Sequence, residues 1–194
     1  MKSGSHSLLF VAAGTLIAAP SFAADISIKI TLPTIEGNGF RPPSRPYVAI
    51  WLRRADNGFA GDLAVWYQIE GHHRREGFGP PGNQPQNSRT PGGARWLNEV
   101  REWWADSGNR LQFPVDGLTS ASRAAGTYEL TFSSSDPKLA NLPAGKYQLM
   151  VEAAREHGGD ETVSIPFEWP VKSNQSGHAA GQQELGPVEL ALKP

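Results

Sequence analysis

The chain has 194 residues, with 18 Lys and Arg against 19 Asp and Glu and a formal net charge of -1, which suits one well-cored domain and excludes the broad cationic footprint of a non-specific nucleic-acid binder. The absence of cysteine excludes disulfides, thiolate nucleophiles, zinc-thiolate sites and a lipidated-cysteine anchor. With 39% hydrophobic residues and six tryptophans the chain can bury a core, while 21 glycines and 16 prolines predict many turns.

Residues 1 to 23 carry Lys2, then a run from Leu8 to Ala19 that is apolar apart from Gly14 and Thr15, then Pro20 and Ser21-Phe22-Ala23. This pattern reads as a secretory signal peptide cleaved after Ala23, with an N-terminal core helix as the alternative. The apolar run is too short to span a bilayer, and no later segment reaches the roughly 20 apolar residues of a membrane helix. The expectation is a mature chain of residues 24–194 in a bacterial periplasm, or secreted, with no membrane span once the leader is removed.

In the first mature segment Ile26, Ile28, Ile30 and Leu32 alternate with Ser27, Lys29 and Thr31, the pattern of a half-buried strand. Tyr47 to Leu52 and Leu63 to Gln68 are β-branched and aromatic runs separated by an Asn57-Gly58 turn signal, which predicts an antiparallel pair. Glu70 to Gly93 holds His72-His73-Arg74-Arg75, Pro80-Pro81 and Pro91-Gly92-Gly93, and reads as a long inserted loop. From Arg95 to Asp106 the apolar residues Trp96, Leu97, Val100, Trp103 and Trp104 recur at helical spacing, which predicts an amphipathic helix stopped by Gly108 and covering one face or open end of the fold.

Further strands are predicted at Thr127 to Phe132, Lys146 to Ala153, Thr162 to Trp169 and Pro187 to Leu192, which makes seven in all. An internal echo, Ala125-Gly126-Thr127-Tyr128-Glu129-Leu130 and Ala144-Gly145-Lys146-Tyr147-Gln148-Leu149, marks two glycine turns that each feed a strand. Ser173 to Gln183 reads as a flexible connection. The class expected is mainly β: a single immunoglobulin or fibronectin type III-like antiparallel β-sandwich of about seven strands with one inserted helix, the alternative being a small barrel.

Three constellations carry candidate chemistry. His157, with Glu156 and Asp160 beside it and Glu152 and Glu161 nearby, is a carboxylate-imidazole set at an expected hairpin tip that would hold a divalent ion, or a turn dressed with charges. His72 and His73 lack regular ligand spacing and are flanked by two arginines, which favours a solvated loop. Trp103 and Trp104 offer a ligand platform or core packing, and Trp51, Trp66 and Trp169 with Tyr47 and Tyr67 offer sugar stacking or, more economically, core. Nothing matches a nucleophile elbow, a phosphate-cradling loop or a zinc-protease helix, so the reading is a protein without catalytic activity of its own.

Arg45-Pro46-Tyr47-Val48-Ala49-Ile50-Trp51, Leu63-Ala64-Val65-Trp66-Tyr67, Trp96-Leu97 with Trp103-Trp104, and above all Val151-Glu152-Ala153-Ala154-Arg155-Glu156-His157-Gly158-Gly159 resemble the predicted periplasmic proteins of the domain of unknown function 2271 family. Pro143-Ala144-Gly145-Lys146-Tyr147 is also similar to the immunoglobulin-like domain of flagellar hook-capping proteins. The family resemblance implies no established enzymatic activity. It implies an association with membrane redox or metal-uptake proteins and with FMN transferases. Such transferases esterify flavin phosphate to a Ser or Thr in a pattern that Asp116-Gly117-Leu118-Thr119-Ser120-Ala121-Ser122 resembles, with Asp116, Thr119 and Ala121 matching, Ser122 at the acceptor position and Ser120 in place of a glycine. The expectations are therefore an accessory binding module, or an electron carrier with FMN on Ser122, or a metal- or glycan-binding module.

Overall fold

The computed structural model describes residues 25–36, 44–69, 93–155 and 158–194. The expected leader, the inserted loop up to residue 92, and Glu156 and His157 lie outside the described residues.

All seven predicted strands form, and two more join them. A four-stranded antiparallel sheet runs in the order β5 (Gly126–Ser133), β1 (Asp25–Leu32), β9 (Pro187–Lys193), β8 (Gln175–Ala180). A five-stranded sheet runs β4 (Thr119–Ala121), β3 (Phe59–Tyr67), β2 (Tyr47–Arg54), β6 (Gly145–Ala154), β7 (Asp160–Trp169), with β4 parallel to β3 and the other neighbours antiparallel. The two sheets face each other as a β-sandwich. Ile26, Ile28, Ile30 and Leu32 point into the interior, against Val48, Ile50 and Leu52 of β2 and Leu149, Val151 and Ala153 of β6. Each fully buried aliphatic side chain contributes roughly 1.5–3 kcal/mol.

The Asn57-Gly58 signal makes the expected connection. Asn57 takes a positive φ of 66°, and Arg54 N–H donates to the Gly58 carbonyl at 2.7 Å. A bulge in β3 opposite Ile50 and Trp51 turns Leu63 and Ala64 both inward, which returns Val65 and Tyr67 to the outer face. The internal echo proves to be a repeated device: Tyr128 Oη donates to the Ala124 carbonyl at 2.8 Å and Tyr147 Oη to the Pro143 carbonyl at 2.7 Å. In each copy the tyrosine ring lies over the glycine two residues before it, and the bond ties strand entry to the preceding loop.

The two additional strands escape sequence patterning for different reasons. β4 is only three residues long, Thr119, Ser120 and Ala121, with no large apolar side chain. β8 (QSGHAA) was expected as flexible connection, yet it pairs with β9 over its whole length. Its Gly177 runs so close to β7 that a Cβ there would lie 2.3 Å from Ile165 Cγ2, so the strand carries no apolar side chain at the position where one would advertise it. Gln175 reaches back to both the N–H and the carbonyl of Glu168 at 2.8 and 2.9 Å, which links the two sheets at that corner.

The predicted helix is two pieces. A 3-10 turn, Ala94–Glu99, and the helix α1, Arg101–Asp106, meet at Val100, whose φ and ψ of -84° and 79° are not helical. Together they cover the outer face of the five-stranded sheet, the first of the two positions expected for a lid. Leu97, Val100 and Trp103 bury against Tyr47, Ala49, Trp51, Val65 and Tyr67, a second apolar layer outside the sandwich core. Six residues cannot sustain a helix alone, so α1 depends on its anchors. At its C-terminal end Asp106 accepts from Trp51 Nε1 at 2.9 Å and pairs with Arg53 at 2.7 Å. Gly108 follows, packed so tightly on Trp103 and Trp104 that a Cβ would come within 2.7–2.8 Å of their rings.

Candidate functional site

The segment expected to accept flavin forms one turn and one edge strand. Gly117 supplies a positive φ of 69°, and Thr119 Oγ1 closes the turn by accepting from Val115 N–H at 3.1 Å and donating to its carbonyl at 2.9 Å. Asp116 is exposed. Thr119, Ser120 and Ala121 then pair with Val65, Trp66 and Tyr67, and Ser122 N–H donates to the Tyr67 carbonyl at 2.9 Å. Ser122 itself is only 9% exposed. The structure thus places Asp116 and Ser122 at opposite ends of a short hydrogen-bonded element.

Of the residues expected to hold a metal, Asp160 opens β7, beside Arg101 at 3.7 Å and hydrogen-bonded to Glu152. Among the described residues no group of three or more His, Cys, Asp and Glu side chains is arranged to hold a metal ion. Glu152 is not at the hairpin tip, where the sequence reading grouped it. It lies within β6 at 0% exposure because the helical layer covers the outer face of that strand. Its carboxyl accepts from the backbone N–H of Glu102 at 3.0 Å and of Trp103 at 2.8 Å, the free donors at the start of α1. Burial pushes its pKa up to about 8, with Asp160 adding to the rise against the opposing pull of the two N–H groups.

Trp103 is fully buried. Its indole N–H donates to Asp62 at 2.7 Å, and burial raises the Asp62 pKa although Ser107 and Trp103 both donate to that carboxylate. Trp104 is half-buried and stacked on Phe113, ring centroids 6.4 Å apart. Trp51 and Trp66 face opposite sides of the five-stranded sheet, Trp51 into the helical layer and Trp66 into the sandwich core.

Polar chemistry gathers instead at one end of the sandwich. The chain leaving β1 (Pro33, Ile35), the chain entering β2 (Ser44, Arg45), the link between β4 and β5 (Arg123, Ala124) and the residue leaving β6 (Arg155) line an open recess of about 190 Å³. Arg155 donates through Nε to Glu184 at 2.5 Å and through Nη1 to the Ser44 carbonyl, and both members of this ion pair are nearly buried. Arg123 lies over the faces of Trp66 and Tyr128 at 4.1 and 4.8 Å. Arg45 donates to the Ser122 carbonyl at 3.3 Å. Among the described residues neither Arg45 nor Arg123 has a carboxylate partner within ion-pair distance. Sequence reasoning missed the recess because its arginines are scattered along the chain without spacing; the only signal was that Arg45 and Arg155 sit in the segments that carry the family resemblance.

Among the described residues no helix is long and apolar enough to cross a membrane. Comparison with known proteins finds no match among curated proteins and none among solved structures. A family model described as "Predicted periplasmic protein (DUF2271)" matches residues 25–187, from the first residue of β1 to the first of β9. The chain belongs to the DUF2271 family of predicted periplasmic proteins.

Proposed function

We propose that this protein is an exported accessory module, without catalytic chemistry of its own, that recognises an anionic group on behalf of a membrane-linked redox or metal-uptake assembly. The observation that carries this reading is the arginine-lined recess. Arg45 and Arg123 line the same recess, and among the described residues neither meets a carboxylate, so an anionic ligand or partner would supply the counter-charge. The paired tyrosine-to-carbonyl ties of Tyr128 and Tyr147 support a kinship with immunoglobulin-like domains, including those of hook-capping proteins, whose architecture serves recognition.

The second reading is an electron carrier with FMN esterified to Ser122 by an FMN transferase. In its favour, the Ser122 carbonyl is held by Arg45 at the rim of the recess. Against it, Ser122 is nine-tenths buried and bonded into the sheet edge. Ser120, where the pattern has glycine, sits in strand β4 opposite Trp66. Metal binding through Glu156, His157 and Asp160 has weaker support, because Asp160 already serves Arg101 and Glu152. Glycan binding on Trp103 and Trp104 is weaker still, since Trp103 offers no exposed face.

Coexpression with an FMN transferase followed by intact-mass measurement separates the readings. The expected result is an unmodified mature chain. A mass increase of one FMN ester, absent from Ser122→Ala, would replace the accessory reading with the carrier.

A further inference from the structure

We infer that the recess at the end of the sandwich is a binding site for a phosphoryl dianion, inorganic phosphate or a phosphomonoester, held by Arg45 and Arg123 with Arg155 behind them. This rests on the recognition reading above and names the chemistry recognised. Arg155 is neutralised by Glu184, whereas among the described residues Arg45 and Arg123 meet no carboxylate and present two positive charges to a ligand. A phosphomonoester near neutral pH carries about 1.5 to 2 negative charges, whereas a carboxylate or a phosphodiester lipid headgroup carries one.

Preorganisation is the second support. The Arg123 guanidinium lies over the rings of Trp66 and Tyr128, and Tyr128 is fixed in turn by its bond to the Ala124 carbonyl, a residue of the recess wall. Such cation–π contacts restrain a guanidinium without consuming an acceptor for its N–H groups, which remain donors for an oxyanion. Little side-chain entropy is then lost on binding. Arg45 is exposed and tied by one 3.3 Å bond to the Ser122 carbonyl, so it is available to close on a ligand.

Size and lining decide what enters. At about 190 Å³ the recess is smaller than the roughly 300–1,000 Å³ of pockets that enclose a drug-sized ligand. It suits the phosphoryl group itself, with any organic remainder outside. Pro33, Ile35, Pro46, Ala124 and Ala125 surround the arginines with apolar groups, which lowers the local dielectric and strengthens the ion pairing.

The test is calorimetric titration of the purified mature chain with inorganic phosphate at low ionic strength. Sodium acetate and phosphatidylglycerol vesicles serve as parallel arms. One saturable phosphate site is expected, weakened about tenfold or more in Arg45→Gln and in Arg123→Gln, with Arg123→Lys between Arg123→Gln and wild type and Lys172→Gln unchanged. Arg45 is exposed, so Arg45→Gln keeps the test valid if Arg123→Gln fails to fold. Absence of a saturable phosphate site, equal affinity for acetate, preference for the vesicles, or unaltered binding by Arg45→Gln would overturn the assignment. A phosphate failure with an unmodified intact mass removes only the phosphoryl assignment, whereas an attached flavin removes the accessory reading whatever phosphate does.

Discussion

Glu152→Gln is expected to abolish a loss of stability that the wild-type protein shows as pH rises from about 5 to about 8. Glu152→Ala is expected to cost about 3 kcal/mol at pH 6, from two orphaned backbone donors and the cavity left behind. The folded-state pKa of Glu152 is raised from 4.5 to about 8, first by burial and then by Asp160. A carboxyl whose folded pKa is raised binds its proton more tightly in the native state than in the unfolded one. Its contribution is therefore complete below pH 4.5 and disappears as pH climbs through 8.

Chemically, the two carboxyl oxygens accept separately, Oε1 from Glu102 N–H and Oε2 from Trp103 N–H, and the group shares a hydrogen bond with Asp160. Glutamine removes the titrating proton but keeps only one of the two acceptors, so one backbone N–H is left without its partner. Denaturant unfolding at pH 5.5, 7.0 and 8.5 checks this, with Glu152→Gln about 1–3 kcal/mol less stable than wild type at the lowest pH and varying less with pH than wild type across the range. Parallel slopes for the two proteins would show that Glu152 is not the group responsible. Glu161 has the opposite sign. Burial alone would raise its pKa, but the backbone N–H groups of Gln182, Leu185, Gln183 and Glu184 hold it below the usual range. Its contribution is lost at acid pH, outside the window that isolates Glu152.

The second large effect is expected at the ion pair behind the recess. Arg155→Ala should cost about 3–5 kcal/mol, because it leaves the Glu184 carboxylate nearly buried and without its cation. The double variant Arg155→Met, Glu184→Leu should recover most of that loss, since a well-packed apolar pair is often as stable as a buried ionic one. The recovery will be incomplete, because Glu184 also accepts from Gly159 N–H at 3.0 Å and Arg155 from its side donates to the Ser44 carbonyl. Unfolding midpoints of the two variants and wild type provide the measurement. A double variant no more stable than Arg155→Ala would show that the cost lies in those outer hydrogen bonds and not in the stranded charge.

The fold was legible wherever one strand face meets oil and the other meets water, as in the strict alternation of Ile26 to Leu32. It was legible too where glycine chemistry marks a turn, as at Asn57-Gly58 and in the echo that became two tyrosine ties. It was not legible in β8, where close approach to Ile165 requires Gly177 and erases the apolar signal. In β6 the strand was legible but its burial was not, because the run Leu149-Met150-Val151-Glu152-Ala153-Ala154 is buried on both faces. There the period-2 pattern vanishes, and Glu152 looks like a surface carboxylate until the helical layer is in place. The interruption of the predicted helix at Val100 has the same origin, since local periodicity cannot foresee that α1 starts where a buried carboxyl receives its first N–H groups. Least readable was the recess, whose three arginines come from three separate segments and line one site only through tertiary structure.

If anions bind at this arginine-lined end and the tryptophan-rich layer is packing, an amide and arginine side-chain chemical-shift map of isotopically labelled residues 24–194 titrated with phosphate shows it most directly. Saturable changes confined to residues 33–36, 44–46, 122–125 and 155, with the Arg45 and Arg123 side-chain N–H signals moving most, are the predicted result. Changes centred on residues 94–113, or spread evenly over the surface lysines and arginines, would contradict it.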